Sequence, residues 1–278
     1  ATDGSTTEGS GTGDETPALT PEAICTMICE YHFGSAYACS AEMLPDKVVV
    51  RCEVEGSCVV DGRRHAWVVS RVAVDGVDAT SWLLRAAHDE AASVHAFRAL
   101  AGELAAYGAP RELLARIEAA AGDEVRHAAA VTMLARARGV AEVPAPEVAT
   151  APIRSLLAIA LENAIEGCVH ETWAALRAAH QARCAADPVV RRIYASIAAD
   201  EARHAELAWA IDAWLSRQLD AAGRAEVEAA RKAAARALAA RLATGDIGPE
   251  LIALGLPPPH VAARLCVGLN AALWSRAA

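Results

Sequence analysis

Asp123-Glu124-Val125-Arg126-His127 returns as Asp200-Glu201-Ala202-Arg203-His204, and this repeated Asp-Glu-x-Arg-His decides the reading of the chain. Each copy lies in an Ala- and Leu-rich stretch, a composition that favours helix. Positions i and i+3 share one helix face, about 5–6 Å apart at Cβ. Glu124 with His127, and Glu201 with His204, therefore each present a carboxylate and an imidazole in the same direction. A single such pair is ordinary on a solvated face, where it serves as an i,i+3 ion pair. Two copies with the same flanking Asp and Arg point to a metal site.

A two-metal site among packed helices needs a Glu-x-x-His pair from each of two helices and one more Glu from each of two others. Glu90 lies 34 residues before Glu124, and Glu166 lies 35 before Glu201. Two helices joined by a short loop need about that separation for their side chains to face each other at matching depth. The surroundings repeat too. Phe97 and Trp173 each follow their glutamate by seven residues, and Leu100 and Leu176 by ten. Helix breaks fall at Gly108-Ala109-Pro110 and at Asp187-Pro188. Residues 80–216 thus read as a duplicated two-helix hairpin, a signal separate from the motif.

Carboxylates mixed with imidazoles suit iron and manganese. Ligating imidazoles usually give their other ring N–H to a carboxylate, which fixes the tautomer. Asp123 and Asp200 are placed for that role, with Arg126 and Arg203 to neutralise them. Without metal, several buried carboxylates are costly.

These residues resemble the ferritin-like diiron-carboxylate superfamily, which includes rubrerythrins and bacterial multicomponent monooxygenases and carries E…ExxH…E…ExxH on four helices. The likeness covers roughly half of the chain. It implies a mainly α fold built on an antiparallel four-helix bundle. It implies Glu90 and Glu166 as terminal ligands, Glu124 and Glu201 as bridging ligands, and His127 and His204 as one imidazole per metal. The implied cofactor is two metal ions, Fe/Fe with Mn/Fe as the alternative. The implied partners are dioxygen or peroxide and a small-molecule substrate or electron donor. The superfamily includes oxidases, oxygenases and ferroxidases, so the likeness does not choose among them. A ferroxidase, or a secreted structural or binding protein with a non-catalytic metal, are the rival readings. No Tyr lies one or two turns after Glu124, which argues against a ribonucleotide reductase subunit.

Other residues compete for the same roles. Asp89 and Glu103 lie near Glu90 but do not fit the repeat. Glu162, one turn before Glu166, is an extra ligand or an outer partner of the site, and His170 is either that or a satisfied polar histidine. Glu171 is five residues past Glu166, which on an α-helix rotates it away to the surface. Phe97, Trp173 and Tyr194 are core fillers that share faces with the glutamates and are candidates to line a pocket.

The net charge of −9 with no basic stripe excludes nucleic acid as an expected partner. No run of 18 or more apolar residues suggests a membrane span. Oligomeric state is not legible beyond a dimer as one option. Five of the eight cysteines crowd into the first 58 residues: Cys25, Cys29, Cys39, Cys52 and Cys58. Cys168, Cys184 and Cys266 follow later. The Cys25–Cys29 spacing lacks the two-residue gap of a zinc site, so all eight are disulfide candidates. Cys52 with Cys58 is the local pair. Disulfides would place the chain in an extracytoplasmic compartment: periplasmic, secreted or lipid-anchored.

Residues 1–18 read as a disordered polar tether. Residues 19–79 read as a small Cys-rich module, with a short helix from Thr20 to about Cys29. In it Val48–Val54 and His65–Val74 are strands joined as a hairpin through Asp61-Gly62. Residues 80–216 hold the four helices, with 144–152 as the crossover. Residues 217–278 form a helical extension, with helices expected at 224–243 and 261–274.

Overall fold

The computed structural model describes residues 38–43, 48–53, 63–66, 68–69, 78–149, 152–244 and 247–275. It divides into two compact units, Ala1–Ser57 and Cys58–Ala278. The expected tether, the Thr20–Cys29 helix and the Asp61-Gly62 turn lie outside the described residues.

In the first unit, strand β1 (Ala38–Met43) pairs antiparallel with β2 (Val48–Glu53), and Cys39 stands opposite Cys52. The strand expected at Val48–Val54 is present, but its partner is the preceding segment rather than His65–Val74. In the second unit, β3 (Val68–Val69) pairs instead with β4 (Glu147–Val148) in the crossover segment. The second unit therefore takes in residues that the sequence groups with the Cys-rich module.

The second unit is mainly α. Helix α1 (Ala79–Ala106) is capped by Asp78, whose side chain accepts from Ser81 N–H at 2.8 Å. It ends where Gly108 takes φ +76°, a conformation that costs glycine little. Pro110 then admits α2 (Arg111–Arg136). Ser155 caps α3 (Leu156–Glu162), which runs without a break through a π-helical segment (Asn163–Glu171) into α4 (Thr172–Cys184). Asp187 caps α5 (Pro188–Ser216), with Pro188 in the first turn, where its missing N–H is harmless. The extension holds α6 (Ala221–Thr244), a short α7 (Pro249–Ala253) inside the expected loop, and α8 (Pro259–Leu269) ending in a π-helical turn (Asn270–Trp274).

Helix α1 packs along α2, α4 along α5, and α2 against α5. Two apolar layers form between them. One holds Trp82, Leu83, Val131, Leu134, Tyr194 and Ile197. The other holds Phe97, Leu100, Ile117, Ile159, Leu207 and Ile211. On α1, α2 and α5 the motif residues fall in the gap between these layers. Each fully buried Leu or Ile contributes roughly 1.5–3 kcal/mol, and it is this flanking burial that holds carboxylates away from water between the layers.

A third apolar cluster joins Val169 and Trp173 to Leu238, Cys266 and Trp274, so α6 and α8 cover the outer side of the π-helical segment. A π-helical stretch disturbs the regular hydrogen-bond ladder. Two of its groups find partners elsewhere. Trp274 Nε1 donates to the Cys168 carbonyl at 2.8 Å, and Asn163 Nδ2 donates to the Ala208 carbonyl at 3.0 Å. Gly167 is required by close approach: a Cβ there would stand 2.8 Å from Ala208 Cβ and 2.9 Å from Arg63 Nη1.

Cys168 and Cys266 are buried free thiols and Cys184 is an exposed one, so the three drop out as disulfide candidates. Cys168 packs with its Sγ 3.8 Å from the Ala208 carbonyl, and Cys266 sits in the third apolar cluster. Cys25, Cys29 and Cys58 lie outside the described residues, so the Cys52–Cys58 pairing does too.

Candidate metal centre

Helices α2 and α5 each bring their Glu-x-x-His pair inward between the apolar layers, and the pairs interlock. His127 Nδ1 faces three carboxylates: Glu201 at 3.3 Å, Glu90 at 3.5 Å and Glu124 at 3.7 Å. His204 Nδ1 faces Glu124 at 3.1 Å, Glu201 at 3.8 Å and Glu171 at 3.9 Å. The imidazole centroids are 5.8 Å apart. Glu124 and Glu201 approach both imidazoles, whereas Glu90 approaches only His127 and Glu171 only His204. All six residues are 3% exposed or less.

The other ring nitrogens point outward and cross over. His127 Nε2 lies 3.1 Å from Asp200, and His204 Nε2 lies 3.2 Å from Asp123. Each aspartate thus orients the histidine of the opposite helix. Arg126 bonds Asp123 and reaches Asp200 at 3.4 Å; Arg203 bonds Asp200 and reaches Asp123 at 3.2 Å. With acceptors fixed at both Nε2 positions, the proton of each neutral imidazole belongs on Nε2, and Nδ1 is the atom turned to the cluster.

The electrostatics fit a place that could hold a cation. Burial, reinforced by Glu124, pushes the Glu90 carboxyl well above its usual range, and burial with Glu201 does the same to Glu171. Burial would raise Glu124 too, but the adjacent His127 and His204 imidazoles hold it at about 2. Burial disfavours an imidazolium at His204, yet Glu124 and its neighbours raise that group to about 9. His127 is raised in the same way by Glu124, Glu201 and Glu90 against the effect of burial. Protons must therefore stand in wherever no cation does.

Eight buried atoms of this cluster have no hydrogen-bond partner: both oxygens of Glu124 and of Glu171, Oε2 of Glu90 and of Glu201, and Nδ1 of both histidines. Bonds of about 2.1 Å from one ion place neighbouring donor atoms about 3 Å apart, close to the spacings observed. Glu90, Glu124, His127 and Glu201 form one group that could hold a metal ion, and Glu171, Glu201 and His204 form a second.

Glu166 is not in either group. It accepts from His170 Nδ1 at 3.1 Å, and burial, which would raise it, is outweighed by the His170 charge, leaving it at about 2. His170 is thereby the partner of Glu166 and not of the cluster. Glu171, expected at the surface, is 1% exposed and takes the fourth carboxylate position. The π-helical segment explains the exchange. Five residues rotate an α-helix about 140° past a full turn, but i→i+5 hydrogen bonding winds the chain more loosely, so the overshoot is much smaller. Glu171 returns to the inward side.

Glu162 does not serve the cluster either. Arg154 bonds both Glu162 and Glu103, His65 Nε2 lies 3.1 Å from Glu103, and Ala66 N–H donates to Glu162 at 3.0 Å. This buried network fastens residues 63–66 to α1 and α3. Phe97 does line the centre, with its ring edge-on to His204 at 5.2 Å. Trp173 does not, since it faces Trp274 and α6 in the third apolar cluster. Tyr194 lies in a cavity beside Glu90 and Glu201.

Sequence reasoning missed two buried arginines beside the centre. Arg63, 2% exposed, donates to Asn163 Oδ1 at 2.9 Å and lies over the Phe97 ring. Arg177, 3% exposed, lies over Trp82. No periodic signal marks either one. No family model, curated protein or solved structure matches the chain.

Proposed function

We propose that residues 80–216 form a ferritin-like antiparallel four-helix bundle holding two metal ions, iron with iron or manganese with iron. We propose that it reacts with dioxygen or peroxide to oxidise a small substrate. The observation that carries this reading is the convergence of four buried carboxylates and two Nδ1 atoms, with each imidazole tied to an aspartate across the helix pair. Glu90, Glu124, His127 and Glu201 would hold one ion and Glu171, Glu201 and His204 the other, with Glu201 common to both and Glu124 3.1 Å from His204 Nδ1. Bound there, such a pair would supply two-electron redox chemistry. The chain's own part is to fix the imidazole tautomers through Asp123 and Asp200, to exclude water with the two apolar layers, and to keep the carboxylates apart from solvent protons.

No described helix is long and apolar enough to cross a membrane. An extracytoplasmic location is part of the proposal and rests on the five N-terminal cysteines and the polar stretch at residues 1–18.

The test is elemental analysis, followed by anaerobic ferrous loading and exposure to oxygen with near-ultraviolet absorption as the readout. About two iron, or iron plus manganese, per chain with an oxygen-dependent spectrum is the expected result. Zinc alone, or no metal and no spectral change, refutes the oxidase reading and leaves a structural helical protein. Loss of iron to a growing mineral instead of substrate turnover supports the ferroxidase.

A further inference from the structure

Residues 63–66 precede the four helices, yet Arg63 reaches in beside the centre, and its side chain is buried there. The guanidinium lies 5.6 Å from the centroid of the Phe97 ring, and that ring stands 5.2 Å from the His204 imidazole. The π-helical segment makes room for it, since a Cβ at Gly167 would stand 2.9 Å from Arg63 Nη1. The backbone of the segment is fastened as well. Ser93 Oγ donates to the Arg63 carbonyl at 3.2 Å, His65 Nε2 lies 3.1 Å from Glu103, and Ala66 N–H donates to Glu162 at 3.0 Å. The charge is therefore held in one place.

The contacts of the guanidinium do not neutralise it. Arg63 Nη2 donates to Asn163 Oδ1 at 2.9 Å, a neutral acceptor, and Nε has no partner among the described residues. A guanidinium stays protonated, and burying one is costly unless negative charge faces it. Two carboxylates do so. Burial raises the Glu171 carboxyl, and Arg63 is among the charges that oppose the rise; at Glu166 burial is overcome by His170, Arg64 and Arg63. Arg63 thus acts on the Glu171–His204 half of the centre. Four carboxylates balance two divalent ions, whereas two trivalent ions leave excess positive charge there. A fixed cation nearby favours the first condition over the second.

We propose that Arg63 is a positioning residue that biases the centre electrostatically toward its reduced, divalent state, and that residues 63–66 belong to the redox unit for this reason. The inference rests on the dinuclear reading above. Each electron accepted from an external reductant removes one unit of positive charge from the pair of ions, so Arg63 assists every reducing step with the same sign. Two unit charges about 10 Å apart at an effective dielectric of about 20 shift an equilibrium by roughly 10-fold, which is about 59 mV for a one-electron couple.

The test is a mediated redox titration of the iron-loaded full chain, with dithionite as the reductant, near-ultraviolet absorption as the readout and iron content measured in every sample. Arg63→Met and Arg63→Gln remove the charge and are expected to lower the ferrous-to-ferric ratio at a fixed potential by roughly 10-fold. Arg63→Lys keeps the charge and is expected to stay within about 3-fold of wild type. Arg64 is only half-buried, and solvent screens it, so Arg64→Met is expected to shift the ratio by about 2-fold or less. A purely structural role would make Arg63→Lys fail together with the neutral variants. If Arg63→Met does not fold, Arg63→Gln decides. A ratio unmoved or raised in the neutral variants, an Arg63→Lys ratio as low as theirs, or an iron-loaded wild type that dithionite does not reduce overturns this inference and leaves the metal-site reading intact. A wild type that takes up no iron overturns both.

Discussion

Replacing Glu171 and Glu166 separately by Gln distinguishes the carboxylate that serves the centre from the one that only resembles it in sequence. Glu171 is buried against His204, whereas Glu166 is paired with His170 outside the cluster. Without metal, burial and Glu201 favour the protonated form of Glu171. Gln imitates that form, so Glu171→Gln should leave the melting temperature of the metal-free protein nearly unchanged. With metal the variants should part. A ligand at 100 times its Kd stabilises the folded state by about 2.7 kcal/mol; a 100-fold weaker site retains about 0.4 kcal/mol. The difference, about 2.3 kcal/mol, acts on a unit of 221 residues (278 − 57). A domain of that size moves about 2–4 °C per kcal/mol. We therefore predict that Glu171→Gln loses about 5–9 °C of the stabilisation produced by Mn²⁺, and that metal content at that concentration falls from two ions to about one and a half. Glu166→Gln should lose about 1 °C or less. Differential scanning fluorimetry with and without Mn²⁺, paired with elemental analysis, reads both. If Glu166→Gln abolished the shift while Glu171→Gln kept it, the π-helical register argument would be wrong.

Three further outcomes are expected. Asp123→Ala removes the acceptor that orients His204 and should weaken metal at the Glu171 position by about 10- to 100-fold, while Asp200→Ala does the same at the Glu90 position; equal affinity in a chelator competition contradicts the crossed arrangement. Metal binding should release protons and tighten with rising pH. In the metal-free fold His204 is raised from near 6.5 to about 9, so its pairing stabilises fully below 6.5 and is lost as pH rises through 9, and it is this proton that a metal displaces. Calorimetry in two buffers of different ionisation enthalpy measures the release, and a buffer-independent heat would count against it. Gly167→Ala forces a Cβ to within 2.8 Å of Ala208 Cβ and should destabilise the fold by about 1–3 kcal/mol; urea denaturation at wild-type midpoint would show that α5 yields there.

The motif pairs were legible because an i,i+3 spacing survives any packing of an α-helix, and because duplication separates Glu124/His127 and Glu201/His204 from incidental surface pairs. The helix start after Asp187 was legible from local chemistry, and Asp78 and Ser155 cap their helices in the same way. Glu90 followed from the loop length between two regular helices. The same reasoning failed for its counterpart, since it assumed 3.6 residues per turn through Asn163–Glu171. What holds that stretch open is not local: Trp274 and Ala208 lie 106 and 40 residues from Cys168, and Asn163 is met by Arg63 from 100 residues away. A hydrophobic period cannot report such partners. The strand pairing failed for a related reason, because the Val48–Glu53 strand is satisfied by a neighbour with little strand signal.

The crossed contacts between His127 and Asp200 and between His204 and Asp123 make the two halves of the duplication mutually dependent. Neither half is a finished copy of a one-metal protein, since each lends the other the residue that aims its imidazole. A mutation that drifted in one copy would be felt as a fault in its sister. The two Asp-Glu-x-Arg-His copies thus share one physical constraint, and a fragment carrying one hairpin alone lacks the aspartate that aims its imidazole.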